Sequence, residues 1–204
     1  MISHDFKTIF VHIPKTGGTS VEAMFGYAEY DKFGKLTKDK VGRGKHWGAK
    51  EYYAEQSEFY KQYFKFTIVR NPWERDVSLY NMMKGQLKYR HLNFKQFVQR
   101  VIQKNIEYDH PKFRNIIFRN QVDYFMHEDN VHVDRIIRYE NLKESWQDVC
   151  KEINKPYEEL VHLRKAKKEP KEFYYKDQET IDLVAKLRKS DIDFLNYDYH
   201  EFKG

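Results

Sequence analysis

The first apolar run of the chain, Ile9 to Ile13, is continuous and β-branched, and Pro14 stops it. Its lack of alternation predicts a strand over Asp5 to His12, buried on both faces as in a parallel sheet. Gly17 and Gly18 then supply a tight turn, and a helix begins at Val21. A second strong run, Tyr63 to Val69, ends at Arg70-Asn71-Pro72. There Asn71 suits an N-cap, Pro72 the first helical position, and Glu74 a capping-box pattern, predicting a helix from Pro72 to about Met83. Phe94, Phe97, Val98, Val101 and Ile102 recur at helical spacing and read as a core stripe. Asp134 to Tyr139 is a third strand. Trp146, Val149, Cys150 and Ile153 return to helical spacing, which makes Cys150 a buried structural thiol. Ala49 to Gln62 and Thr180 to Lys189 read as further helices, with the tail from Ile192 to Phe202 packing back.

The intervening stretches are less patterned. Tyr27 to Gly48 is polar, glycine-dotted and lysine-rich, and reads as one long loop. Asn105 to Asn120 is irregular and basic, Val122 to Phe125 is a short strand or a helical turn, and Leu160 to Lys176 is basic and unpatterned.

Strands alternating with helices predict an α/β domain with a central, mostly parallel sheet. Ligands of such sheets bind beyond the carboxyl ends of the strands. Lys15 and Arg70 both stand after a strand, so parallel pairing brings their backbones to the same sheet edge. At 204 residues the chain reads as a single domain over 1–204, with no repeat or linker.

Composition narrows the class. With 40% hydrophobic and 33% charged residues the chain is globular rather than disordered. A net charge of +6 favours anionic partners such as phosphates or sulfated sugars. The basic residues form no arm or tail, so a nucleic-acid partner is not expected. Aromatics reach 17%, enough for some to line a groove. One cysteine excludes an intramolecular disulfide and cysteine-cluster zinc. No segment is apolar for long enough to span a bilayer and the N-terminus lacks a signal-peptide core, which predicts a soluble, cytoplasmic chain.

Chemistry concentrates at HIPKTGGTS. Strand, glycine turn and helix make an anion site, because backbone N–H groups converge there and Lys15 adds a cation. The order differs from GxxxxGK[ST], since the lysine precedes the glycines. Thr19 with Glu22 also spells a capping box, so an ordinary strand-to-helix turn is the alternative. Arg70 starts a second positive site, whose planar fork suits a terminal phosphate. Ser78 lies two turns into the following helix and offers a hydroxyl to the same group. For Arg70 alone, pairing with a carboxylate is the simpler reading. Magnesium nucleotide enzymes usually place an acidic residue at the second strand end, where this chain has Arg70.

HIPKTGGTS resembles the 5'-phosphosulfate loop of sulfotransferases, and FTIVRNPWERDVSLY is similar to their 3'-phosphate segment, with Arg70 and Ser78 in the matching places. KHWGAKEY, DRIIRYENL and HLRKAKKE…YY extend the resemblance over most of the chain. The likeness is to the carbohydrate group that includes the heparan 2-O and chondroitin enzymes. It implies a P-loop-like three-layer α/β/α fold. It also implies sulfuryl transfer from 3'-phosphoadenosine 5'-phosphosulfate (PAPS) to an acceptor hydroxyl, on a carbohydrate or small molecule, without a metal. Lys15, Thr16, Gly17, Gly18, Thr19 and Ser20 then hold the 5' side of the donor, and Arg70 and Ser78 its 3'-phosphate. Lys15 stabilises the leaving phosphate.

By the same resemblance His46 is the base, a role suited to a near-neutral pKa. His12 is the runner-up, although a satisfied core histidine is the plainer reading of a strand-end position. Glu74, Arg75 and Glu140 fit capping or strand-end pairing. The segment holding Lys165, Lys167 and Lys168 either closes over the nucleotide or is a solvated charge run. Two rivals remain: a P-loop-like small-molecule kinase, and a non-catalytic nucleotide- or anion-binding protein of the same fold.

Overall fold

The computed structural model describes residues 1–30, 36–40, 44–107, 116–160 and 169–202. In chain order its first half comprises β1 (Ile2–Ser3), β2 (Thr8–Val11), α1 (Gly18–Met24), β3 (Ala28–Tyr30), β4 (Leu36–Asp39), α2 (Ala49–Glu55), α3 (Ser57–Gln62), β5 (Phe64–Val69) and α4 (Pro72–Lys84). Then follow α5 (Phe94–Phe97), α6 (Gln103–Glu107), β6 (Met126–His127), β7 (Asn130–Val131), β8 (Arg135–Arg138), α7 (Leu142–Glu152), α8 (Lys171–Tyr174), α9 (Gln178–Leu187) and α10 (Lys189–Leu195). The chain divides into two compact units. The first is Met1–Val69 with Asp123–Ala166, and the second Arg70–Val122 with Lys167–Gly204.

The first unit is built on a four-stranded sheet in the order β1-β2-β5-β8. β2 runs parallel to β5 and β5 parallel to β8, while β1 is an antiparallel edge strand. This is the mostly parallel α/β class that the sequence predicts. Every residue of β2 is buried, as expected of a strand covered on both faces. Phe10, Phe66, Ile68 and Ile137 pack with Val21 of α1, with Trp146, Val149 and Cys150 of α7 and with Ile153 just beyond it. Cys150 is buried there, and burial raises its thiol pKa.

Three local expectations change. The first strand is shorter than Asp5 to His12, because Asp5 to Lys7 form the turn joining β1 to β2, with Lys7 in the left-handed region at φ 44. Tyr27 to Gly48 is not a plain loop: β3 and β4 pair there as an antiparallel ribbon, with residues 31–35 and 41–43 outside the described set. Ala49 to Gln62 is helical but broken at Gln56 (φ −140, ψ 40) into α2 and α3.

In the second unit α4 starts as predicted. The Asn71 side chain accepts from the Trp73 and Glu74 N–H groups, and Pro72 occupies the first turn. Phe94, Phe97, Val98, Val101 and Ile102 are all buried, but the turn from Val98 to Ile102 is a π-helix between α5 and α6. Val122 to Tyr124 takes the helical-turn alternative, as a 3-10 turn. The C-terminal helix stops at Leu187, and a further helix, α10, holds the start of the tail. Arg188, between the two, grips Asp76 through two nitrogens at 2.8 and 3.0 Å with both side chains fully buried. No helix among the described residues is long and apolar enough to cross a membrane.

Candidate active site

The PKTGG turn follows the carboxyl end of β2. Lys15 adopts φ 72 and Gly17 φ 84, so two left-handed residues aim the backbone into α1. For a lysine this conformation is unusual and marks a constrained site. The Gly17 cap provides no side-chain bond to the first-turn N–H groups of α1. Lys15, Gly17 and Thr19 are half-buried, whereas Thr16 and Ser20 are buried. The Thr16 hydroxyl donates to the Ile13 carbonyl at 2.8 Å and so braces the turn from inside.

The two glycines are required by the protein's own packing. A Cβ on Gly17 would stand 2.9 Å from the Tyr139 ring, and one on Gly18 2.3 Å from His12 Cδ2. His12 and Tyr139 thus press against the turn from the ends of β2 and β8.

Beneath the turn lies a buried polar cluster. His12 Nδ1 meets Glu22 Oε1 at 2.6 Å, and Lys45 Nζ stands 3.3 Å from Glu22 Oε2. Burial lowers the His12 pKa, against the hydrogen bond to Glu22, so the ring is neutral and donates Nδ1–H to a carboxylate. Burial alone would raise Glu22. The bond from His12 and the charge of Lys45 outweigh it, and the carboxyl stays below its ordinary value. Gly17 is the N-cap of α1 and Thr19 lies inside the helix, so the alternative reading of Thr19 and Glu22 as a capping box does not hold.

His46 is tied to this cluster. Its Nδ1 lies 3.1 Å from the His12 carbonyl oxygen and its ring packs edge-on against His12 at 4.6 Å. A carbonyl only accepts, so Nδ1 carries the proton and Nε2 keeps the lone pair. His46 is thereby fastened to the backbone three residues before Lys15, although it comes 34 positions later than His12. Burial pushes its pKa down to about 4, away from the near-neutral value expected.

Arg70 follows β5 directly and begins the second unit. Its backbone is clasped by one side chain: Gln121 Oε1 accepts from the Arg70 N–H and Gln121 Nε2 donates to the Arg70 carbonyl, both at 2.8 Å. Its guanidinium is buried and Nη2 donates to Glu74 Oε1 at 2.8 Å. The carboxylate pairing weighed for Arg70 is thus present. A guanidinium has five donors, however, so service to Glu74 does not preclude a phosphate. Ser78 is half-buried, one turn beyond Glu74 on α4. Arg75 is buried and donates to the Ile117 and Arg119 carbonyls. Glu140 lies in the 3-10 turn after β8. Lys165, Lys167 and Lys168 lie outside the described residues. No group of three His, Cys, Asp or Glu side chains able to hold a metal occurs among the described residues.

The model of the Sulfotransferase family matches residues 1–198. The chain belongs to the sulfotransferase family. Comparison with curated proteins and with solved structures gave no match. Membership agrees with the α/β architecture and supports sulfuryl transfer in general as the chemistry of this family member.

Glu22 and Gln121 escaped the sequence reading. Glu22 looks like a capping residue by its spacing from Thr19. Gln121 sits in an irregular stretch, and only its complete burial reveals its grip on Arg70.

Proposed function

We propose that this sulfotransferase-family chain, acting as one domain, transfers a sulfuryl group from PAPS to an acceptor hydroxyl, with a carbohydrate the favoured acceptor. The observation that carries the reading is the fastening of His46 to the strand end that leads into Lys15. PAPS, when bound, supplies an activated sulfuryl group on a phosphate leaving group. The residues of the turn suit a phosphate: a half-buried cation, two left-handed residues and a glycine N-cap that gives the first turn of α1 no bond from a cap side chain.

Lys15 places its ammonium where negative charge grows on the leaving phosphate oxygen as the sulfur–oxygen bond breaks. Backbone N–H groups and the Thr19 hydroxyl assist it, with Ser20 beside them, and Thr16 holds the turn rigid. His46 Nε2 takes the acceptor proton as the new oxygen–sulfur bond forms, while Nδ1–H stays on the His12 carbonyl and fixes the ring. Arg70 and Ser78 take the 3'-phosphate, Arg70 being oriented by Gln121 and Glu74.

Calorimetry with adenosine 3',5'-bisphosphate and with AMP tests the reading. The bisphosphate is expected to bind at least about tenfold more tightly, since a charged phosphate contact is worth roughly 1.5–3 kcal/mol. Arg70→Ala should remove that advantage and leave AMP unchanged. Equal affinity for the two ligands would overturn the assignment of Arg70 and Ser78.

A further inference from the structure

The net charge of the chain is concentrated in one stretch. Val77 to Ile106 contains six cations (Lys84, Lys88, Arg90, Lys95, Arg100 and Lys104) and no Asp or Glu. Of the 37 Lys and Arg, the 31 found elsewhere equal the 31 Asp and Glu, so the whole net charge of +6 resides here.

The densest part is the turn over residues 85–91, between α4 and α5 in the second unit. Its backbone is held in place. The Gln86 carbonyl accepts from the Tyr89 and Arg90 N–H groups at 3.0 and 3.1 Å, and the Tyr89 carbonyl from the Leu92 N–H at 3.0 Å. Leu92 is buried, and the Tyr80 hydroxyl donates to its carbonyl at 3.0 Å, fastening the end of the turn to α4. Leu87 is left out of this packing. At 79% it is the most exposed large apolar side chain among the described residues. Met82, in the last turn of α4, is also exposed, as is Phe173, which lines one cleft together with Lys84, Arg90 and Lys176.

A single exposed leucine is ordinary, but this one stands among unpaired cations. Lys84, Lys88, Arg90 and Lys176 are exposed and meet no carboxylate within 4 Å among the described residues. Lys84 lies over the Tyr80 ring at 5.4 Å, Lys88 over Tyr89 at 5.1 Å and Lys176 over Phe173 at 5.6 Å. Ring contact holds the aliphatic stems and leaves the charges unneutralised. Lys95 differs, being answered by Glu179 at 2.5 Å and Asp177 at 3.5 Å. Four uncompensated cations attract an anionic partner. A small anion or a soluble polyanion would meet the charges and leave Leu87 in water. An anionic bilayer supplies both halves of the match, charged headgroups for the cations and an apolar boundary beneath them for the protruding side chain.

We propose that the 84–91 segment docks on the surface of an anionic lipid bilayer. Leu87 enters the headgroup boundary, and Lys84, Lys88, Arg90 and Lys176 lie against the headgroups. The contact is peripheral, made by one apolar side chain and the charges around it. It does not depend on the transfer chemistry, since Lys84 lies twelve residues beyond Pro72, about 18 Å along α4 from its Arg70 end.

The test is flotation of the full chain with phosphatidylcholine vesicles and with vesicles in which about a third of the lipid is phosphatidylserine. Binding to the anionic vesicles should be at least about tenfold tighter, and should weaken as salt is raised. Each cation at the surface is worth about fivefold, so Lys88→Gln with Arg90→Gln in one chain should weaken binding by about tenfold or more. Leu87→Gln should weaken it about fivefold or more with the charge unchanged. All three positions are half-buried or more exposed, so the urea midpoints of these variants should stay at the wild-type value. Lys50→Gln with Lys61→Gln, which removes the same charge from α2 and α3, should bind nearly as the wild type does. No binding to the anionic vesicles, equal binding to the neutral ones, or wild-type affinity in Leu87→Gln would overturn the proposal. So would an equal loss in the α2–α3 variant, which would mean diffuse attraction by net charge. Tighter binding of a soluble polyanion such as dextran sulfate that displaces the vesicles and is indifferent to Leu87→Gln would likewise overturn it.

Discussion

His12 Nδ1 and Glu22 Oε1 lie 2.6 Å apart with both side chains buried, directly beneath the turn that carries Lys15. Glu22 also faces Lys45, so one carboxylate serves two partners from α1. Removing it strands a buried imidazole donor and a nearby ammonium. Glu22→Ala should cost about 3 kcal/mol, measured by urea denaturation, because an interior pair broken on one side leaves the other uncompensated. A loss below about 1 kcal/mol would show that the cluster does not hold the turn.

The two glycines Gly18 and Gly26 should respond differently to alanine. At Gly18 the new methyl would meet His12 at 2.3 Å and Phe10 at 2.8 Å. At Gly26 (φ 72) nothing lies within 4 Å, so backbone strain is the whole cost. Gly26→Ala should lose about 1 kcal/mol and Gly18→Ala about 2–3 kcal/mol or more. Thermal or urea unfolding of the pair checks the order; a Gly18→Ala no worse than Gly26→Ala contradicts the close approach of His12.

Stability should fall in mild acid. His46 has an ordinary value of 6.5 and a folded value of about 4, so between those limits the unfolded chain binds more protons. Its contribution is fully present above pH 6.5 and is lost as the pH drops toward 4, to a limit on the order of 3 kcal/mol. His12 is depressed in the same direction, and Glu22, held low by its partners, adds a loss at still lower pH. Urea midpoints for wild type and His46→Gln over pH 4–7 should converge toward the acid end. Parallel curves would mean that His46 titrates normally. The same neutral His46 predicts a transfer rate nearly flat from about pH 6 to 8.

The sheet was legible because β2 is an apolar run buried throughout and β5 one buried from Phe66 to Val69, while β8 shows only Ile136 and Ile137 between two arginines. Asn71-Pro72 announced α4 through the chemistry of its first turn, and the Phe94–Ile102 stripe announced its helix through spacing. The β3–β4 ribbon was not legible: AEY and LTKD lack an alternating apolar face, and their pairing depends on tertiary context. The π turn at Val98 leaves the hydrophobic spacing intact and so leaves no mark on the pattern. In the site, Lys15, Gly17 and Gly18 stood out as a motif. Their reasons did not, since the glycines answer to Tyr139 and His12 from distant parts of the chain. His46 was named from resemblance; its link to the His12 carbonyl is a contact between separate segments that spacing does not encode.

In the proposed mechanism Lys15 and His46 act on opposite sides of one sulfuryl transfer. Incubation of the protein with sulfur-labelled PAPS and a panel of saccharide and small-alcohol acceptors tests it most directly, with Lys15→Ala and His46→Ala run beside the wild type. Labelled product is expected from the wild type. Each variant should show a fall of about a hundredfold or more, with adenosine 3',5'-bisphosphate binding retained in His46→Ala. Undiminished transfer by Lys15→Ala, or transfer by neither variant nor wild type to any acceptor despite tight bisphosphate binding, would contradict it.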